Sequence, residues 1–243
     1  MKGYFKKFLK VDLTNNQLED FPFSADDAKK YIGGATLAAK IIYDYVEPGM
    51  NPLAPENPLV FATGPFTGSN IPMVSRLAIC GISPGTGLWG ESTTGGKFPV
   101  RMKGTGYDGI LITGKAPKPV YLYIKEGKTE IRDASHLWGK TNFYQTREKI
   151  KKEIGGKFST ACIGAAGERL IHYSCIMNDE GRAAGRCGMG ALMGAKNLKA
   201  VVVSGNKKAD LADQKTVKQL IKDARECIKN DANTNAYKMF GTN

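Results

Sequence analysis

The chain has 243 residues, 42% of them hydrophobic, with 35 Lys and Arg against 23 Asp and Glu for a formal charge of +12. It is long enough to bury one substantial core; no apolar stretch approaches the roughly 18 residues that cross a bilayer, and Met1-Lys2-Gly3 begins no signal peptide, so no membrane partner is expected and the location reads as cytoplasmic. The basic residues are spread along the chain, as at Lys6, Lys7, Lys29, Lys30, Lys149, Lys151, Lys152, Lys207 and Lys208, without an aromatic-interleaved basic motif, which argues against nucleic acid and leaves a phosphate-bearing cofactor or an acidic remainder of a longer protein.

Tyr4 to Leu13 reads as a strand, ended by a Thr14-Asn15-Asn16 turn and paired with Gln17 to Phe21. Ser24 is placed to cap a helical stretch from Ala25 to about Val46, interrupted at Gly33-Gly34 and stopped near Pro48-Gly49. Strands are expected over Leu59 to Thr63, Val74 to Gly81 and Gly109 to Thr113, then a hairpin about Glu126-Gly127-Lys128. Asn142 to Ile154 has the pattern of a basic amphipathic helix, and Ser159 to Ile163 and Ile171 to Met177 read as strands. Strands and helices do not alternate strictly, so a doubly wound parallel sheet is not expected.

After Gly205 the chain turns polar, and Gln214 to Asn230 has helical spacing through Val217, Leu220, Ile221, Ala224 and Cys227. One amphipathic helix needs partners over its apolar face. The expectation is a first domain over 1–208, and over 209–243 the start of a helical domain that continues in the natural protein.

The five cysteines, 80, 162, 175, 187 and 227, are an odd number without the paired spacing of a zinc or iron-sulfur site. They read as free thiols of a reducing compartment, with Cys80 and Cys162 in the core.

The run RAAGRCGMGALMGAKNL, Arg182 to Leu198, carries two arginines four positions apart and glycines at 185, 188, 190 and 194. Two readings are open. One is backbone exposed to an anion at the mouth of a short helix; the other is close helix–sheet packing with no ligand. A second copy favours a site. Residues 94–114 end as residues 186–205 do, with Gly114 matching Gly205 and Met102 matching Met193 at an offset of 91, and FATGPFTG (Phe61 to Gly68) matches ACIGAAGE (Ala161 to Glu168) at a slightly different one. Such repeats mark one supersecondary unit used twice, and the inference is a pseudo-symmetric domain suited to a ligand with two similar halves. Cys187 either packs there as a small hydrophobe or approaches that ligand.

GPFTG (Gly64 to Gly68), SRLAI (Ser75 to Ile79), SPGTG (Ser83 to Gly87), WGESTTGG (Trp89 to Gly96), GYDGILITGKAPKPVY (Gly106 to Tyr121), DASHLWGK (Asp133 to Lys140) and the stretch from Met177 to Gly205 follow one another in order. With them the chain resembles, over about residues 3–210, the N-terminal domain of the tungsten-containing aldehyde:ferredoxin oxidoreductases. The resemblance implies an α+β fold of two β-sheets related by a pseudo-twofold, holding one tungsten or molybdenum through the dithiolenes of two molybdopterins. It places Arg76, Thr93 and Gly95 at one half of the cofactor, with Arg182, Ala183, Gly185 and Arg186 around the other. It also implies a magnesium bridging the two phosphates, assisted by the Ala183 carbonyl and by the position of Thr93, where the family's asparagine reaches further. Arginine suits such phosphates because its charge persists and its donors fork. Cys187, where the family usually has glycine, is a second departure.

The same resemblance puts the family's 4Fe-4S cluster, and its acid–base groups, in C-terminal parts outside this chain. No catalytic residue is assigned here: His136 falls in a turn motif and His172 in an expected strand, both far from any cluster, while Glu91 either orients a ligand or makes structural hydrogen bonds. The implied function is the cofactor-binding portion of an enzyme interconverting aldehydes and carboxylates. Its partners would be the remaining polypeptide or a C-terminal subunit, an aldehyde and ferredoxin, with room for a homodimer. The alternative is a non-catalytic pterin carrier or scaffold subunit.

Overall fold

The structure, a computed structural model, describes residues 1–179 and 181–241. Glu180, inside the Met177 to Gly205 stretch, and the last two residues of the 209–243 segment lie outside them.

The first half runs β1 (Lys7–Asp12), β2 (Gln17–Pro22), α1 (Ala25–Tyr31), α2 (Gly34–Tyr43), β3 (Leu59–Thr63), β4 (Leu77–Ile82), β5 (Trp89–Thr94), α3 (Phe98–Lys103) and β6 (Gly109–Thr113). The second runs β7 (Val120–Lys125), β8 (Lys128–Asp133), α4 (Phe143–Ile154), β9 (Ser159–Cys162), α5 (Ala165–Glu168), β10 (Ile176–Asn178), β11 (Arg182–Ala184), α6 (Met189–Ala195) and β12 (Leu198–Ser204), before α7 (Gln214–Asn230) and α8 (Ala232–Phe240). The first sheet has the order β2-β1-β6-β3-β4-β5, and the second, read from its β8 edge, β8-β7-β12-β9-β10-β11. Each strand of one sheet has its counterpart six strands later, including the single parallel pair, β1 with β6 and β7 with β12. The fold is therefore α+β and duplicated, as expected from the repeat.

Alternation along the strands builds three apolar layers. In β3, Leu59 and Phe61 face the core between the sheets, while Val60 and Ala62 face α2. The middle core takes in α3, through Phe98 and Met102, and α6, through Met189, Leu192 and Met193. These two helices are exchanged: α3 packs against β9 and β12 of the second half, and α6 reaches β3 and β4 of the first. An outer layer beneath α4 holds Phe143 and Ile150 against Tyr121 and Val202.

Local chemistry sets the element ends. Ser24 and Asp27 form a capping box on α1, as Asn142 and Gln145 do on α4. The two-residue loop Glu126-Gly127 closes the β7–β8 hairpin. Two expected strands are corrected. The strand expected from Val74 begins at Leu77, and that expected from Ile171 begins at Ile176, because Ser174 spends its N–H on Ile171 O and its carbonyl on Gly190 N; His172 lies in a turn. Trp89–Thr94, quoted above only as a motif, is a strand paired with β4 along its full length.

Lys196 has no exposed surface, and its Nζ donates to the carbonyls of Pro55 at 2.8 Å and Gly114 at 3.3 Å. Burial outweighs the pull of Glu56 and Asp12 and brings its pKa down to about 7. Between that value and the ordinary lysine range the unfolded chain binds the proton and the folded protein does not. Stability therefore rises with pH through this window, by up to about 1.4 kcal/mol per unit. In urea unfolding at pH 7, 8 and 9 the wild type should gain on Lys196→Met; parallel slopes would refute the assignment.

No helix among the described residues is long and apolar enough to cross a membrane.

Candidate functional site

β5 and β11 occupy matching edges of the two sheets and lie against each other. Across this seam Cys187 Sγ donates to Glu91 O at 3.3 Å, and Arg186 N donates to Ser92 Oγ at 3.0 Å. A Cβ at Gly96 would stand 3.3 Å from Arg182 Cγ. As residue numbers rise along one strand the partners' numbers fall along the other, so the strands cross antiparallel and Thr93–Gly95 is bracketed against Ala183–Gly185. A twofold axis perpendicular to the strands produces this arrangement, and it joins the two sets of residues expected at the two halves of the ligand.

The β5 pleat divides labour. Ser92 and Thr94 are buried and reach the second half, while Glu91 and Thr93 are exposed. Together with Arg76 they line a groove of about 280 Å³, whose other wall includes Gly33–Ala35 at the start of α2. No side chain caps α2, and a helix start carries partial positive charge. Arg76 stands at Gly95, where a Cβ would lie 4.0 Å from its Cδ. One arginine from each half thus flanks Gly95-Gly96. Arg76, Arg182 and Arg186 are exposed, and their guanidinium groups have no hydrogen-bond or ion-pair partner among the described residues. The Thr93 hydroxyl is likewise unengaged. Unpaired cations beside open backbone form a place for a phosphate-bearing anion.

The glycine run divides between its two readings. Arg182 lies in β11 and Arg186 in the turn that follows, and the helix begins only at Met189. The helix mouth is not open, since Gly190 N donates to Ser174 O at 3.1 Å. A Cβ at Gly190 would stand 2.6 Å from Cys175 O, and one at Gly194 2.0 Å from Gly167 O. Gly190 and Gly194 thus serve packing, while Arg182, Gly185 and Arg186, ahead of the helix, are exposed.

Asn178 and Asp179 were missed by sequence reasoning although they fall within a quoted motif. Asn178 accepts from Thr94 Oγ1 at 2.6 Å and donates to Gly95 O at 2.8 Å. Asp179 Oδ2 accepts from Lys97 N at 2.8 Å and Phe98 N at 2.6 Å. Their partners lie 81 to 84 residues away, and no local pattern announces them.

Of the cysteines, Cys187 lies on the seam itself, and Cys80 and Cys162 are buried in the core. Burial, aided by the Glu91 carboxylate, pushes the Cys80 thiol well up, and burial raises Cys162 to about 12, so both stay protonated. Cys187, half-buried, holds a left-handed backbone with φ 61°, a conformation that suits glycine better. His136 Nε2 lies 2.6 Å from Glu153 Oε1 in a turn, as expected of a surface histidine. No group of three or more His, Cys, Asp or Glu among the described residues is placed to hold a metal ion.

The description "Aldehyde ferredoxin oxidoreductase, N-terminal domain" belongs to a family whose profile matches residues 8–205. The tungsten-containing aldehyde ferredoxin oxidoreductase of Pyrococcus furiosus is 41% identical over 95% of this chain, which spans 38% of that relative's length. A P. furiosus aliphatic sulfonate oxidoreductase, WOR-like subunit, is 34% identical over all of the chain and 40% of its own length. Among solved structures, the active-site complex BamBC of benzoyl coenzyme A reductase, in complex with 1,5-dienoyl-CoA, superposes with a TM-score of 0.91 at 39% identity, over 94% of this chain and 35% of that one. The duplicated fold, the ordered motifs and these relatives agree: the chain belongs to the aldehyde ferredoxin oxidoreductase family, of which it carries the N-terminal domain.

Proposed function

We propose that this chain is the cofactor-binding portion of an oxidoreductase that interconverts aldehydes and carboxylates at a bis-pterin tungsten or molybdenum centre, with electrons leaving through an iron-sulfur cluster to ferredoxin. The observation that carries the reading is the seam: two equivalent strand ends meet antiparallel, each with an unpaired arginine beside it. A ligand with two like, phosphate-bearing halves fits that symmetry. Arg76 would meet one phosphate, and Arg182 with Arg186 the other. The backbone at Gly95 and Gly185 would admit the pterins closely, and the Thr93 hydroxyl and Ala183 carbonyl would help to hold a magnesium that offsets the phosphate charge. The bound centre supplies the two-electron redox chemistry; the chain's own residues bind, orient and shield it. The metal would take its ligands from the cofactor, since no group of three or more His, Cys, Asp or Glu among the described residues is placed to hold it.

Residues 1–208 serve here as the cofactor domain and 209–243 as the beginning of a helical one, a division supported by α7 and α8 burying no residue. The chain's small share of its relatives' length supports a partner in the remaining polypeptide and an inactive isolated domain. The working compartment is then the cytoplasm.

In the full-length protein, Arg76→Ala and Arg182→Ala should each lower pterin and tungsten content about tenfold or more at limiting cofactor, since charge-assisted bonds to phosphate contribute about 1.5–3 kcal/mol. Lys152→Ala, at an exposed position of α4, should not. Fluorescence of the oxidised pterin with elemental analysis reads this out, and a wild type lacking pterin would sink the proposal. A second reading, reduction of an acyl-CoA, is favoured by the identity to the benzoyl coenzyme A reductase complex; assays with aldehydes and with aromatic acyl-CoA esters decide between them.

A further inference from the structure

Asn178 stands between the two halves of the site. Its backbone is opposite Arg182 in the β10–β11 register, yet its side chain, 1% exposed, crosses to the other sheet. There it accepts from Thr94 Oγ1 and donates from Nδ2 to the Gly95 carbonyl. A carbonyl oxygen only accepts, so these two partners fix which way the amide is turned. Asp179 extends the same grip along the loop to Lys97 and Phe98. The loop after β5 is thus held by the second half of the molecule. The other half has a lighter counterpart: Ser83, at the end of β4, donates to the carbonyl of Cys187, in the turn after β11, at 2.9 Å.

We propose that Asn178 is a positioning residue for the cofactor site: held in the strand beside Arg182 and bonded to Thr94 and Gly95, it sets the spacing between the two cofactor-facing stretches. The inference rests on the seam being the pterin site. A ligand spanning two half-sites binds tightly only when their separation is preset, because any freedom between them is lost on binding. Asn178 removes that freedom with one rigid, buried amide, bonded to Thr94 away from water and to the half-buried Gly95 carbonyl, where losing a partner leaves the other unsatisfied.

The test uses the full-length protein loaded with its cofactor. Asn178→Asp keeps the shape and the acceptor for Thr94 but sets an oxygen against Gly95 O. Pterin release, followed by fluorescence, should become about tenfold faster, the effect of one buried bond lost. The difference in Tm between loaded and apo protein should shrink, because ligand-linked stability follows affinity. A merely structural role would lower both Tm values equally and leave that difference unchanged, which overturns the proposal, as would release at the wild-type rate. Thr94→Val, which removes only the orienting hydroxyl, should speed release about threefold; should Asn178→Asp fail to fold, wild-type release by Thr94→Val overturns the proposal on its own. A wild type without pterin defeats the underlying reading instead, so the two failures are told apart.

Discussion

Lys199→Met should cost about 3–5 kcal/mol of folding stability, the usual effect of removing one partner from a buried ion pair. Lys199 has no exposed surface, and Glu168 is 5% exposed at its side chain. Its Nζ donates to Glu168 Oε1, to Ile163 O at 2.9 Å and to Thr141 O at 3.2 Å. Without it the carboxylate keeps the Gly139 N–H at 3.0 Å but no counter-charge among the described residues, and two carbonyls lose a donor. Lys199→Met with Glu168→Leu should recover most of the loss, since the uncompensated charge goes too. Urea unfolding of the single and double variants checks this; a loss under about 1 kcal/mol in the single variant would mean that water reaches the pair.

The pseudo-twofold gives this pair a counterpart of reversed sign. The carbonyl of Lys199 accepts from Ile163 N, and at the matching place in the first half the carbonyl of Asp108 accepts from Thr63 N. There Asp108 is the buried anion, and Lys103 stands 3.3 Å away, donating to the carbonyls of Gly3 and Gly64. Burial lowers the Lys103 pKa and raises that of Asp108, each opposed by the other's charge. Both lysines therefore pin the turn after the third strand of their sheet, Gly64 in one half and Ile163 in the other. In the first half that turn also lines the groove beside Arg76.

Gly205→Ala should abolish soluble folded protein. A Cβ there would lie 2.1 Å from both Gly104 C and Thr105 N, backbone atoms with nowhere to yield. Gly205 follows β12 of the second half and Gly104 follows α3 of the first, so the clash would drive apart the exchanged helix and the opposing sheet. The cost exceeds the 4–5 kcal/mol that marks exceptional single substitutions. Gly127→Ala separates strain from crowding: its φ is +76° but nothing lies within 4 Å, so it should lose only about 1 kcal/mol. Expression and thermal unfolding of the two variants side by side decide; a soluble Gly205→Ala with an unchanged Tm would refute the packing argument.

Much of the fold was legible in the residues. The apolar run Leu59–Thr63, the caps at Ser24 and Asn142, and the turn at Glu126-Gly127 act within a few positions, and the 91-residue echo pointed to the duplication that the strand orders display. Trp89–Thr94 was not legible as a strand, because only its pairing with β4 makes a stretch of Gly, Ser and Thr extended. The glycines of the 182–198 run could not be sorted either. The two that pack, Gly190 and Gly194, look in sequence like Gly185, which is exposed. Thr93, Gly95, Ala183 and Gly185 were named from motifs, and their meeting across a seam depended on contacts between residues 94 and 96 positions apart.

By itself, then, the sequence determined many of the elements, their capping, the internal repeat and the family, because those are written in short-range spacing and in ordered motifs. The tertiary structure alone decided that the two repeats face each other by their edge strands, that α3 and α6 are exchanged between halves, and that Asn178 ties the halves together. Hydrogen bonds and close backbone approaches form between whichever groups the folded chain brings within about 3 Å, and that choice depends on the packing of both sheets at once.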